Sequence, residues 1–440
     1  MNARLHRARP LRPGLRLLCL LCLAGLLLVA TASRVWAQTT IVSTQMRPVE
    51  EAEKMRKQVL NALPGGALFL PEDGNTVLTR MRAELGAARG QIDVLIALDG
   101  ELAPIHQLGG LQDLDALISR LSASREFNPA ALALGRMGGP TQRFVPLMTN
   151  TFMMVANRQA LPHLPAGADL QALTYPQLLE WARALHAATG ERKLGFPAGP
   201  KGLWWRFFQA SFYPSHTGGV VRTFKSAEAE AGWLQLRAMW QHVNPRSTSY
   251  AFMEEPLKSG EVWLAFDHAA RLLPALLARP DDFVAFPAPA GAKGRGFMPV
   301  MVGLAIPRNA PDRAAAERVI DLLTQPATQA RLQALFGFFP VVKADLSGLP
   351  AGVRTAAAGM QATLAAPDGI ASRLPVQLGR KNGEFNKIYV DAFTRIVLRG
   401  EDVRRVLNEE SVWLNDLLQD AKVPCWAPDA PSGNQPCRVQ

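Results

Sequence analysis

The chain has 440 residues, 48% of them apolar and 19% charged, with a formal net charge of +11. That length is too great for one small core and suits two domains of ordinary size, while the mixed composition, free of repeats and low-complexity runs, excludes a disordered or fibrous chain. Nucleic-acid binding is not indicated either, because the first 37 residues hold six Arg and no acid, which leaves 42 basic against 37 acidic residues, or +5, in the remainder.

Residues 1–37 read as an export signal. Arg4, Arg7, Arg9, Arg12 and Arg16 precede an apolar core from Leu17 to Ala32, and Val35-Trp36-Ala37 fits the small-x-small rule for cleavage after Ala37. The alternative is an uncleaved anchor, since the core is near the lower end of a spanning length. Cys19 and Cys22 follow Leu residues rather than the small residue of a lipoprotein signal, which disfavours lipid attachment. Beyond the signal only Cys425 and Cys437 remain, and in an exported protein they are expected to close a staple around Pro428, Pro431 and Pro436, with two free thiols as the alternative. The seven His are scattered and form no close pairing with Cys, so neither a metal site nor a cofactor is expected.

Strands are predicted at Thr40–Ser43, Ala67–Leu70 and Gln91–Ile96, with helices over Pro48–Leu60 and Thr76–Ala88 between them. Thr44 to Arg47 form the turn after the first strand, and Leu98-Asp99-Gly100-Glu101 follow the third. This β-α-β-α-β alternation implies a parallel sheet with its crossovers on the faces. Phe144 to Asn157 is a long, extended, apolar passage. Farther on, Trp204, Trp205, Phe207, Phe208, Phe212, Tyr213 and Phe224 crowd a segment that carries Lys201, Arg206, Arg222 and Lys225 but no acid from Arg192 to Ala227. Aromatic faces there suit the C–H faces of a sugar, whereas the shared helical face of positions 204, 208 and 212 suits core packing.

From Glu254 to Pro307 the pattern repeats. A helix ends at Lys258-Ser259-Gly260, Val262 to Phe266 form a buried strand, and Asp267 stands where it should cap the helix Ala269–Ala278, beside His268 and Arg271. Phe283–Phe286 and Val300–Ile306 are further strands. The connection between them, with glycines at 291, 294 and 296 flanking Lys293 and Arg295, is expected to be a mobile surface turn. The last third is helical, through Ala315–Leu322, Pro326–Leu335, Ile388–Leu398 and Asp402–Leu418.

The order of these pieces, above all Lys258-Ser259-Gly260-Glu261, the strand into Asp267, Phe286-Pro287 and Gly303-Leu304-Ala305-Ile306-Pro307, resembles the family-1 extracellular solute-binding proteins of ABC importers, the maltose-binding-protein-like family. The resemblance implies an α/β, two-lobe periplasmic-binding-protein type II fold with three inter-lobe crossings, at Phe144–Asn157, Met298–Val302 and Phe336–Val342. The implied division is a signal over 1–37, an N-terminal lobe of 38–147 plus 300–340, a C-terminal lobe of 148–299 plus 341–420, and a Pro-rich tail over 421–440. It further implies a periplasmic, monomeric receptor with a membrane permease as partner. Its ligand residues would be Gln45, Arg47, Asp99, Glu101 and Asn150 on one side, with Lys201, Trp204, Trp205, Asp267, His268, Arg271 and Phe385 on the other.

No Gly-x-Ser-x-Gly elbow, His-Glu-x-x-His pair or Gly-Lys-Ser phosphate loop is present, so an enzyme is not expected. Two other readings stay open: a receptor for an anionic solute such as a glycerol phosphate or sugar phosphate, motivated by the acid-free segment, and a secreted carbohydrate-active enzyme using Asp99, Glu101 or Asp267.

Overall fold

The computed structural model describes residues 38–375, 378–433 and 435–440. The expected export signal and its cleavage point at Ala37 lie outside the described residues. Among those described, no helix is long and apolar enough to cross a membrane.

Residues Thr39–Gln440 form one compact unit containing two principal sheets. The first has six strands in the order β11-β4-β10-β3-β1-β2: β1 Thr39–Ser43, β2 Ala67–Pro71, β3 Val94–Leu98, β4 Val145–Asn150, β10 Val300–Ala305 and β11 Phe339–Pro340. Strands β1, β2 and β3 are parallel, and β10 runs antiparallel to β3 and β4. The second has four strands in the order β6-β7-β5-β8: β5 Phe152–Asn157, β6 Leu194–Gly195, β7 Leu264–His268 and β8 Phe283–Phe286. A small pair, β9 Arg295–Phe297 and β12 Gly369–Ala371, is parallel.

The central strands are continuous apolar runs because both of their faces are covered by helices, as in parallel sheets generally. Ile41, Val94, Leu95 and Leu304 of the first sheet share a core with Val319 and Ile320. The second sheet lies between two cores. One is aromatic, built on Trp181, Phe207, Phe208, Trp233 and Tyr389. The other joins Met153 and Val155 to Leu272 and Val353.

The chain passes between the sheets three times. β4 and β5 are consecutive strands in different sheets, β8 and β10 are separated by β9 in the same way, and β11 returns the chain from the helix Pro326–Phe336 to the helix Ala351–Leu364. Asn150 Nδ2 donates to the Gly337 carbonyl at 3.0 Å, and Thr151 Oγ1 donates to the Met298 carbonyl at 3.0 Å. All three crossings are thereby tied together at one point.

Several local expectations are corrected. The third strand begins at Val94 rather than Gln91, because Asp93 accepts the N–H groups of Thr40 and Asp312 with its two oxygens and marks the strand's entry. The helix expected over Pro48–Leu60 is an α-helical turn, Val49–Lys54, continued by a π-helical turn, Met55–Val59. The glycine connection is not a mobile surface turn. Gly291 pairs with Gly294, Arg295 is 1% exposed, and a Cβ on Gly296 would lie 2.6 Å from the Ser211 carbonyl, so this passage is packed against the helical segment near Ser211 and Ser215. Cys425 and Cys437 are joined by a disulfide. The tail around it is docked, with Asp429 accepting the N–H groups of Val220, Val221 and Arg222.

Candidate functional site

Strand directions place the site. The carboxyl ends of β1, β2 and β3 lie along one edge of the first sheet, and β4 runs with them because it is antiparallel to β10. The chain therefore leaves that sheet at Asn150 on its carboxyl edge. It enters the second sheet at Phe152, which pairs with His268 at the carboxyl end of β7, and β6 runs parallel to β7. The two carboxyl edges consequently meet across residues 150–152, the geometry in which open α/β sheets bind ligands.

On the first edge, Thr44 is held by its N–H donating to the Ile96 carbonyl at 2.8 Å. Its hydroxyl donates to the Glu101 carboxylate, which also accepts the Leu98 N–H at 3.0 Å. Gln45 Nε2 donates to Thr44 Oγ1 at 3.1 Å. Met46 takes φ 51°, a left-handed conformation that costs a non-glycine residue about 1 kcal/mol, and it is buried while Arg47 beside it is exposed. Asp99 Oδ1 accepts the Gly100 N–H at 2.9 Å. Burial raises the Asp99 and Glu101 carboxyls above the usual carboxylate range, opposed chiefly by local hydrogen bonds and more weakly by the charges of Arg373 and Arg47 respectively.

The charge of Arg373, which lies on a segment fixed by Ser372 bonds to the carbonyls of Phe297 and Gln209, acts on Asp99 through space. Sequence reasoning missed it. A single Arg after a three-residue strand carries no local signal.

On the second edge, Asp267 does not cap the following helix. His268 occupies the N-cap position, while the Asp267 carboxylate is fully buried, accepting the N–H groups of His268 at 2.7 Å and Met253 at 3.1 Å. Burial pushes its pKa up to about 7, with Arg271 and the two N–H groups opposing. The His268 ring sits edge-on to Phe152 and Phe338, at 5.2 and 6.1 Å between centroids, and burial pulls it down to about 3, so it stays neutral at ordinary pH. The Arg271 guanidinium donates to the Ala251 carbonyl at 3.2 Å and lies 4.4 Å from the Phe252 ring centroid. Phe252 is 49% exposed and was not anticipated, since it stands in a loop outside any periodic pattern.

Three expected ligand residues have side chains engaged within the protein. Trp204 is 2% exposed and stacks on Phe207 at 4.5 Å, because its helical face is the one turned into the aromatic core. Phe385 is fully buried between Tyr389 and Trp426. Asn150 is fully buried, with its amide nitrogen bonded to Gly337 and its oxygen to the Thr151 N–H, so its polar atoms are engaged with backbone. Trp205 remains partly exposed, and Lys201 is exposed on the loop before it. Among the described residues no group of three or more His, Cys, Asp or Glu is placed to hold a metal ion.

The chain was compared with known proteins. No curated protein matches it. Solved structures share the fold. The sugar-binding protein MalE from Xanthomonas citri matches with a TM-score of 0.66 at 15% identity, covering 86% of this chain and 97% of that one. UgpB from Mycobacterium tuberculosis, in complex with glycerophosphocholine, gives 0.63 at 18% identity over 87% and 99%. Maltose-bound MalE3 from T. maritima gives 0.61 at 17% identity over 86% and 98%. The model of the bacterial extracellular solute-binding protein family matches residues 69–330, more than half of the chain, and the chain belongs to that family.

Proposed function

We propose that the chain is the substrate-binding protein of an ABC import system, a periplasmic receptor that captures a small solute, a sugar or polyol, between its lobes and delivers it to a membrane permease. The observation that carries this reading is the meeting of two carboxyl edges with unlike chemistry. Thr44, Gln45, Arg47, Asp99 and Glu101 offer donors and acceptors from one side. From the other come His268, Arg271, the exposed Phe252 ring and Arg373, with Lys201 and Trp205 on the approach. An aromatic face beside a few oriented polar groups is the arrangement that suits a sugar ring. Only a closed form contacts the solute from both sides, so ligand selects closure and the permease reads the loaded shape.

The test is a thermal-shift screen with sugars, polyols and their phosphates, followed by solution scattering with the best solute. A bound solute raises the melting temperature by mass action and contracts the scattering profile. A panel-wide absence of both effects would remove the receptor reading, and turnover of a glycoside would replace it with an enzyme.

A second reading, in which the solute is anionic, is supported by Arg373 and by the acid-free stretch before Ala227. UgpB of M. tuberculosis, a structural relative, was crystallised in complex with glycerophosphocholine. Salt-sensitive binding of a phosphorylated solute, with no response to its neutral parent, selects this reading.

A further inference from the structure

Arg206 lies in the first turn of the helical run that starts at Trp204, on the connection that follows β6 and hence beyond the carboxyl edge of the second sheet. Its Nη1 donates to Gln209 Oε1 at 2.8 Å, and Gln209 Nε2 donates to Asn386 Oδ1 at 3.0 Å. Gln209 and Asn386 are both buried. A short chain of neutral amides therefore fixes one corner of the guanidinium.

What the guanidinium lacks is a counter-ion. Among the described residues no carboxylate forms an ion pair with it and no aromatic ring lies beneath it, in contrast to Arg295, which meets Asp368, and Arg125, which meets Asp321. Burial pulls its pKa down to about 10, with no acid opposing the shift. The side chain nevertheless keeps a partly accessible face. Partly withdrawing a charge from water without pairing it is unfavourable, so a permanently unpaired Arg206 would be a standing loss. An oxyanion supplied from outside removes that loss, and guanidinium is the side chain whose fork matches phosphate and carboxylate.

We infer that Arg206, positioned by Gln209 and Asn386, holds an oxyanion of the captured solute, a phosphate or a carboxylate. This assignment rests on the receptor reading above and names the class of solute. Facing walls then divide the work. Asp99 and Glu101 hydrogen-bond hydroxyl groups at one end, and the cationic side takes the charged end.

The experiment is calorimetric titration of the protein with inorganic phosphate and with matched solutes: glycerol against glycerol 3-phosphate, and glucose against glucose 6-phosphate and glucuronate. The expected result is binding of an anionic member, with its neutral parent at least tenfold weaker. Glucose 6-phosphate over glucuronate identifies phosphate as the group, and the reverse identifies carboxylate. In Arg206→Gln the anion preference falls by about ten- to a hundredfold, the range for losing hydrogen bonds to a charged group. Arg206→Lys restores part of it. A merely structural arginine would leave the ratio of anionic to neutral affinity unchanged in Arg206→Gln, and this outcome overturns the inference. Equal binding of neutral and anionic partners in both proteins also overturns it while leaving the receptor reading intact. Absence of binding by every solute overturns both.

Discussion

Asn150 and Gly337 lie 187 residues apart, yet the side-chain amide of the first donates to the carbonyl of the second at 3.0 Å. Asn150 ends the strand that leaves the first sheet, and Gly337 opens the returning crossing with φ 67°. With Thr151 bonded to Met298, every passage between the lobes is fastened at one place. Asn150→Ala leaves the Gly337 carbonyl and the Thr151 N–H unpaired in a buried position. The expected cost is about 2–3 kcal/mol, from two orphaned groups, measured by urea unfolding. A change under about 0.5 kcal/mol would show that water or a small shift replaces the side chain and that the fastening is unimportant.

Trp204 and Phe385 are core residues, and their truncation separates packing from recognition. Either residue changed to Ala should destabilise by about 3–5 kcal/mol through the cavity left behind. Trp205→Ala should cost much less stability and act on solute affinity instead. Melting curves and titrations on the three variants check this. Equal stability losses for Trp204→Ala and Trp205→Ala would refute the division.

The difference between these tryptophans illustrates what the sequence could reveal. Buried strands announce themselves as apolar runs, so Phe283–Phe286 falls where expected and the strand at Val300 ends within one residue of its expected limit, as the apolar helix Ala269–Ala278 also falls where expected. Helical spacing likewise placed 204, 208 and 212 on one packed face, and that face is the core. The resemblance pulled Trp204 toward the cleft, and the periodicity was the better guide. Features set by distant partners were not legible. Gly291 and Gly296 are packed against the carbonyls of Ser215 and Ser211, and the charge of Arg373 acts on Asp99 from a distant part of the sequence.

Asp267 and His268 predict opposing pH dependences. Asp267 moves from an ordinary 3.8 to about 7, so the folded state holds a proton that the unfolded chain has released. Its contribution is complete below the ordinary carboxylate range and is lost as pH rises through about 7. His268 moves from 6.5 to about 3, so its contribution is present above the ordinary value and is lost as pH falls toward 3. Between about pH 4 and 6.5 the two slopes offset one another. Asp267→Asn removes one of them, and its stability should then rise with pH across that window by up to about 1.4 kcal/mol per unit relative to the parent. Urea unfolding at a series of pH values provides the comparison, and parallel profiles would sink the assignment.

The tail is stapled as well as docked. Cys425 and Cys437 close a loop with a sequence separation of 12, for which chain entropy gives about 3 kcal/mol. The double Ser variant should lose about that much, and Asp429→Ala should lose a comparable amount by orphaning three backbone N–H groups. Unchanged unfolding after reduction would mean that the docked tail needs no covalent closure.

Asp99 and Glu101 share the first turn of one helix but carry different loads. Glu101 accepts from both the Thr44 hydroxyl and the Leu98 N–H, and its carboxylate lies where a Cβ on Gly74 would stand 2.6 Å from Oε1. Asp99 takes only local backbone N–H groups, its own and that of Gly100, and faces the charge of Arg373. Glu101→Ala should therefore cost about 1–3 kcal/mol of stability together with affinity, because Thr44 and Gln45 lose their anchor. Asp99→Asn should leave unfolding within about 0.5 kcal/mol of the parent while weakening solute binding roughly tenfold, the effect of losing one charge-assisted hydrogen bond in a closed site. Paired titration and unfolding measurements distinguish the two. If Asp99→Asn binds its solute as the parent does, the carboxyl edge of β3 is scaffold rather than wall, and the solute is held from the cationic side alone.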